Sequence, residues 1–412
     1  MNGLAILHYA SPPIVGGVEL TIYHHARGLA DLGFDVRVIS GRGGQFDERI
    51  KTLIEPLFGS TDPEILAVKK ELDQGIASKR FDTLVQTLEE KLSVALNGCI
   101  DCIVHNVPTL NKNLPLAAAL KGYAASHDLN LLAWCHDLAW TNPQYIPELF
   151  NRTPWTLLRQ PWPGVRYITV SETRRYELAE LMAISPQSVG VVVPGVDPEE
   201  IYGWTLTTSA LAQRVNLMAA DGIVLLPARL TRRKNIGLAL RVLAELRLQS
   251  GKDYRLIVTG PPGPHNPTNP GYLGELLDIR TELNLQDAAH FLYAFGDGDD
   301  PLVPDNATIA NLYMLADALI FPSIQEGFGI PMLEAGFAGL PVFCSDIPPF
   351  RETGQNDVTY FDPVNDSPQD IAAWILHRLQ DDHQYRFRVR SRQNYRWESI
   401  IREHMVPLLQ KG

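Results

Sequence analysis

Cysteine is scarce: four residues in 412 cannot staple a chain of this size, so the fold has to rest on a hydrophobic core. Cys99 and Cys102 form a C-x-x-C, yet no second pair or nearby histidine cluster completes a zinc site, and both read as core thiols. Long apolar runs are missing too, since no uninterrupted stretch approaches the roughly 20 residues that span a bilayer. The start, MNGLAILHYASPPIVGG, has no basic segment ahead of its apolar residues, and Pro12 and Pro13 close that run early; no secretion signal is expected. Positive charge is in deficit, with 36 Lys and Arg against 47 Asp and Glu and a formal net charge of −11. General affinity for nucleic acid or anionic membrane is thereby argued against, and any phosphate site must be local. The balance of 45% apolar and 20% charged residues is that of a globular protein, and the length suits two domains. The expected location is the cytoplasm.

What is present is an alternation of strand and helix. LAILHY reads as a buried strand, residues 18–32 as an amphipathic helix and 35–40 as a second strand, which is a βαβ unit. Strands are further expected at 100–104, 131–135 and 167–170, with helices at 63–74, 81–96, 114–126 and 172–182. After VGVVVPGVDPEEIYGW the periodicity lapses, so a boundary falls in 197–221. The pattern then restarts, with strands at 223–228, 254–259, 290–293, 318–321 and 341–344 and helices at 236–249, 272–283, 307–316 and 331–338. The expected fold class is α/β, with two doubly wound Rossmann-like domains facing across a cleft. In such sheets ligands bind at the carboxyl ends of the strands.

Three strand ends carry informative residues. IFPSIQEGFGIPMLEAGFAGLPVFCS reads as strand, loop, helix, strand: Glu326 lies in the loop, Gly327 and Gly329 let backbone approach a ligand, and Glu334 falls in the first helical turn. Taken as spacing alone, Glu334 fits a carboxylate complementing the helix dipole and Glu326 a solvated loop charge. ARLTRRKNI gathers Arg229, Arg232, Arg233 and Lys234 at a helix start, where four cations are unfavourable unless an anion neutralises them. SPPIVGGVE places Gly16 and Gly17 at the first strand-to-helix turn; it is not a G-x-G-x-x-G, so a dinucleotide cofactor is not supported. His105 and His136 each follow a strand, as packed histidines or as site residues. FGDGDD contains a D-x-D at Asp297 and Asp299 that reads as a solvated acidic loop rather than a metal site. Trp155 and Trp162, among Arg152, Arg159 and Arg166, fit either a loop anchored by aromatics or a small lipid-facing patch giving weak membrane association. The Pro-rich loop at 261–271 has no assigned role.

The string from Ile320 to Ser345 resembles the E-x7-E segment of retaining glycosyltransferases of family 4, which have the two-domain GT-B fold. The resemblance extends to VSETRRYELAEL and VVPGVD and covers nearly the whole chain, with Pro194 standing where members often have Asn. It implies domains at 1–200 (acceptor-binding), 201–389 (nucleotide-sugar-binding) and 390–412 (a terminal helix returning to the first domain). It also implies that Glu326 lies by the transferred sugar, that Glu334 binds the ribose, and that Gly327, Phe328, Gly329 and Ile330 hold sugar and phosphate through backbone. Arg229 and Lys234 would take the diphosphate, with Arg232 and Arg233 facing solvent. Gly16 and Gly17 would face the donor phosphates, and His136 the donor sugar, oriented by Asp137; His105 is left as a candidate on the acceptor side. The implied activity is transfer of a hexose from a nucleoside diphosphate sugar, UDP-glucose or GDP-mannose, to an acceptor hydroxyl on a sugar, glycan, small polyol or lipid-linked acceptor. No metal and no further cofactor is implied. The alternatives are a non-catalytic GT-B partner subunit, or a sugar-nucleotide epimerase or phosphorylase on the same fold.

Overall fold

In the computed structural model, which describes residues 3–262, 269–296 and 301–409, the chain divides into two compact units. One comprises Met1–Val196 with Trp397–Gly412, the other Asp197–Arg396. The D-x-D at Asp297 and Asp299 and most of the Pro-rich loop lie outside the described residues.

The first unit is built on a seven-stranded, wholly parallel sheet: β1 (Gly3–His8), β2 (Asp35–Ser40), β3 (Lys51–Ile54), β4 (Cys99–His105), β5 (Asn130–Cys135), β6 (Arg166–Thr169) and β7 (Val189–Val191). Their order is β3-β2-β1-β4-β5-β6-β7, so the winding reverses between β1 and β4. β4 and β5 are almost wholly buried, because helices cover both faces of a parallel sheet. β3 is not foreseen in the sequence: it is a four-residue edge strand whose end residues are exposed, with no apolar alternation to betray it. Leu4, Ile6, Val36 and Val38 pack with Trp397, Ile400, Ile401 and Met405 of the terminal segment.

The expected terminal helix from residue 390 is in fact two pieces. Helix His383–Asn394 belongs to the second unit, and only from Trp397 does the chain join the first. The crossing is tight: a Cβ on Gly195 would lie 2.8 Å from the Trp397 ring and backbone. Trp155 and Trp162 are buried in the core beneath helix Leu114–Ser126, and Trp162 Nε1 donates to the Leu157 carbonyl at 3.0 Å. They anchor their loop, and the lipid-facing reading falls with them. Cys102 is likewise buried, and burial pushes its thiol well up.

The second unit holds a six-stranded parallel sheet: β8 (Gly222–Leu226), β9 (Tyr254–Val258), β10 (Ala289–Phe291), β11 (Ala318–Phe321), β12 (Val342–Ser345) and β13 (Thr359–Phe361), in the order β10-β9-β8-β11-β12-β13. Here the winding reverses between β8 and β11. The units part at Val196–Asp197, the start of the stretch read as a boundary, and the rest of that stretch contains helices Pro198–Tyr202 and Leu206–Arg214. Only Thr208, Leu211 and Ala212 of the longer one are buried, too few to print a helical period on the sequence. No helix among the described residues is long and apolar enough to cross a membrane.

Candidate functional site

A reversal of winding opens a crevice at the carboxyl ends of the two strands beside it. In the second unit those strands are β8 and β11, and the loops that leave them are the basic loop and the Glu326 loop. The two are tied by backbone, since Ile324 N donates to the Arg233 carbonyl at 2.8 Å. Residues Arg232–Lys234 make one 3-10 turn, and Asn235 follows in the left-handed region at φ 51°, which turns the chain into helix Ile236–Ser250. That kink sends Lys234 inward and leaves its neighbours outward. Lys234 is buried, with its ammonium 4.7 Å from the Phe321 ring centre and hydrogen-bonded to Glu326 Oε1.

Glu326 also accepts from Arg233 Nη1 at 2.9 Å, and the same guanidinium donates to the Gln325 carbonyl at 2.9 Å. Burial alone would raise the Glu326 carboxyl, but the bonds from Lys234 and Arg233 outweigh it and hold the group below the usual carboxylate range. Burial pulls the Lys234 ammonium down, against its carboxylate partner. The site therefore carries its own anion.

Arg232 pairs through both nitrogens with Glu275 and lies over the Tyr272 ring, 5.0 Å from its centre. Arg233, expected to face only solvent, is half-exposed and yet grips Glu326. Arg229 is exposed, and among the described residues it has no hydrogen-bond or ion-pair partner. Of the residues expected to form the donor site, Lys234 and Glu326 are brought into contact and Arg229 is not brought to either.

Beyond Glu326 the loop needs glycine at one place only. Gly329 sits at φ 101°, and a Cβ there would meet the Phe350 ring at 3.0 Å, a ring itself stacked on Phe321. Gly327 has neither a positive φ nor any atom within 4 Å of an added Cβ. The amides of Gly327, Phe328 and Gly329 have no acceptor among the described residues, and Thr353 Oγ1 fixes the loop by donating to the Phe328 carbonyl at 2.7 Å. Helix Ile330–Phe337 begins at the loop's end, its positive pole on the side of those amides. Gly329→Ala should cost about 1–3 kcal/mol of stability through the backbone conformation. Gly327→Ala should leave thermal unfolding within about 0.5 kcal/mol of the parent while weakening nucleotide binding, because the only thing its methyl can strike is a ligand. Equal melting losses for the two variants would remove the ligand-facing role of Gly327.

Glu334 is exposed one turn into the helix and accepts from the Tyr313 hydroxyl at 2.5 Å. Burial, then the neighbouring carboxylate, push that phenol well above its usual range, so Tyr313 stays a donor. It holds one Glu334 oxygen, Oε2, and makes no bond to the other. Tyr313 lies on helix Asn306–Leu315, 21 residues away in sequence, and no motif marks it.

In the first unit the reversal lies between β1 and β4. Gly16 is extended at φ −174° and Gly17 has open space where a Cβ would go, so neither is glycine because of backbone strain. Asn106, just past β4, takes the left-handed region at φ 60°, and its side-chain oxygen accepts from the amides of His136 at 2.8 Å and Asp137 at 3.2 Å. The end of β5 is thereby strapped to the end of β4. His136 is half-buried, and burial, opposed by Asp137, pushes its imidazole down to about 4. Asp137 also faces Arg174 at 3.8 Å, so its charge is shared between that guanidinium and His136. His105 is wholly buried, which excludes the acceptor-side role considered for it.

Two Rossmann-like parallel sheets, each with its chemistry-bearing loops at the winding reversal, define the GT-B class. A model described as "Glycosyltransferase Family 4" matches residues 15–200 and one described as "Glycosyl transferases group 1" matches 210–396. The chain belongs to the family 4 glycosyltransferases. It is 27% identical over 379 residues to a mannosylglucosylglycerate synthase of Thermotoga maritima, covering 84% of this chain and 82% of that one. It is 34% identical over 170 residues to the serotype-specific mannosyltransferase WbdA of Escherichia coli, a match spanning 40% of this chain and only 19% of that much longer protein. Among solved structures, a glycosyltransferase from Rickettsia africae aligns over 100% of both chains at 16% identity, with a TM-score of 0.38.

Proposed function

We propose that the protein is a retaining, metal-independent hexosyltransferase that moves mannose from a nucleoside diphosphate donor to an acceptor hydroxyl. The observation that carries this reading is the buried Lys234, held with Arg233 on Glu326 beside a loop whose amides have no acceptor among the described residues, at the winding reversal of the second sheet. Cations and free amides converging on one strand end are what a diphosphate requires. The names of the relatives from Escherichia coli and Thermotoga maritima favour mannose over glucose as the sugar.

On this reading the diphosphate displaces part of the Glu326 contact, and Lys234 and Arg229 neutralise the charge that develops on the leaving phosphate. The acceptor oxygen attacks on the face the phosphate is leaving. Its proton passes to the departing phosphate oxygen, so the new glycosidic bond keeps the donor's configuration. Glu334, fixed by Tyr313, would take the ribose, and His136 a hydroxyl of the transferred sugar. Gly16 and Gly17 would face the donor phosphates, as the family resemblance implies.

The test supplies GDP-mannose or UDP-glucose with a panel of sugar and polyol acceptors, with and without EDTA, and determines the anomeric configuration of the product by NMR. An α-mannoside formed equally well in EDTA is the expected result. A β-product would end the retaining mechanism, and loss of turnover in EDTA with recovery on added manganese would end metal independence. Turnover of the nucleotide sugar without acceptor or phosphate would instead favour an epimerase.

A further inference from the structure

His105 ends β4 and His136 follows β5, its neighbour in the sheet. Their rings stack at 5.2 Å with 26° between planes, and His105 Nδ1 lies 2.9 Å from His136 Nε2. A contact of that length between ring nitrogens needs one proton and one lone pair. Burial keeps both imidazoles in the neutral form at pH 7, so each carries a single proton. The dyad therefore has two arrangements. Either His105 donates, and the proton of His136 sits on Nδ1, or His136 donates through Nε2 and the proton of His105 is driven onto its own Nε2.

The surroundings of His105 distinguish them. Its Nε2 is buried without a partner among the described residues, beside His25 and Trp134, whose ring centres lie 5.5 and 5.9 Å away. Trp134 Nε1 is also buried and unpartnered, and an indole nitrogen can only donate. A proton on His105 Nε2 would add a second orphan N–H to the same apolar shell. A lone pair there adds an acceptor instead, and among buried polar groups orphaned N–H donors are the rarer case. His25 Nδ1, the third unpartnered nitrogen of the group, lies on a ring packed edge-on against Trp134 at 4.8 Å. His8 engages the backbone of His105 and not its ring, with its Nδ1 2.8 Å from the His105 carbonyl.

We infer that His105 is a positioning residue that locks His136 in the tautomer with its proton on Nδ1, leaving His136 Nδ1–H as a fixed hydrogen-bond donor to the sugar. His136 then acts as a neutral donor and not as a general base, since its basic nitrogen is turned inward and occupied. The role at the sugar rests on the proposed function; the tautomer does not.

The test is a nitrogen-15 histidine spectrum of the full chain at pH 7, with His136 assigned by comparison with His136→Ala. The expected spectrum shows His136 protonated on Nδ1 and bare on Nε2. His105→Asn, whose amide nitrogen can take the place of Nδ1, should keep that pattern and keep kcat/KM for the donor within about threefold. His105→Phe, which keeps the ring and loses the donor, should move the His136 proton to Nε2 and lower kcat/KM about tenfold, mostly through KM. A parent spectrum with the proton on Nε2, or a His136 signal unchanged in His105→Phe, overturns the inference. If His105→Phe does not fold, the parent and His105→Asn spectra still decide the matter. If the parent transfers no sugar at all, the proposed function fails while the spectra remain decisive for the dyad.

Discussion

Glu326→Gln is expected to bind free nucleoside diphosphate about tenfold more tightly than the parent while transferring sugar about a hundredfold more slowly, the two changes amounting to about 1.4 and about 2.7 kcal/mol in opposite directions. Glu326 neutralises Lys234 and Arg233, so an incoming diphosphate has to compete with a carboxylate for the same cations. Glutamine keeps the shape and removes the competitor. The part of the gain that comes from half-exposed Arg233 should shrink with added salt, while that from buried Lys234 should persist. Slower turnover follows from the role proposed for Glu326 beside the sugar, which matters only as the glycosidic bond breaks. Calorimetry with GDP and UDP, set beside kcat, reads both effects. Weaker nucleotide binding in Glu326→Gln would mean that Glu326 orders Lys234 for the phosphate and does not compete with it.

The sequence made the strand-end loops of the second unit visible, because such loops write their chemistry locally: Glu326, Gly327, Gly329, Glu334 and Lys234, the residues proposed for the donor, all fall within two short strings. What it could not reveal is which partner each side chain chooses. Arg232 and Arg233 are indistinguishable as neighbours in a basic loop, yet a single 3-10 turn sends one to Glu275 and the other to Glu326. Tyr313 is one aromatic among many until the fold sets it on Glu334. The His105–His136 contact lay closer to reach. His105 ends β4 and His136 follows its parallel neighbour β5, and the in-register pairing of His105 with Trp134 follows once β4 and β5 are placed side by side. Among the elements, those dense in buried apolar residues were legible, as in β2, β11 and helix Leu114–Ser126. The short edge strand β3 and the thinly buried helix Leu206–Arg214 were not. The chain's crossing at Trp397 was placed several residues early, because a polar, arginine-rich helix such as His383–Asn394 looks the same in sequence whichever unit it packs on.

Arg392→Met should destabilise the second unit by about 3–5 kcal/mol, the largest loss of stability expected from a single change away from the site. Arg392, on helix His383–Asn394, and Asp317, directly before β11, are both almost wholly buried, with Arg392 Nη2 2.8 Å from Asp317 Oδ2 and 3.0 Å from the Ala220 carbonyl. Methionine fills most of the space but leaves a carboxylate in the core without a counter-ion. Asp317 has a second duty, accepting from Ile223 N of β8 at 2.9 Å, so the pair ties the start of β8 to the start of β11, the two strands whose far ends carry the basic loop and the Glu326 loop. The double variant Arg392→Met with Asp317→Asn should regain at least half of the loss, because asparagine keeps an oxygen for Ile223 N and removes the stranded charge. Denaturant unfolding followed by a probe confined to the second unit avoids mixing in the transition of the first. If the double variant is less stable than Arg392→Met alone, the loss comes from the missing guanidinium bond to Ala220 and from packing, and the buried ion pair is not what holds the two strands together.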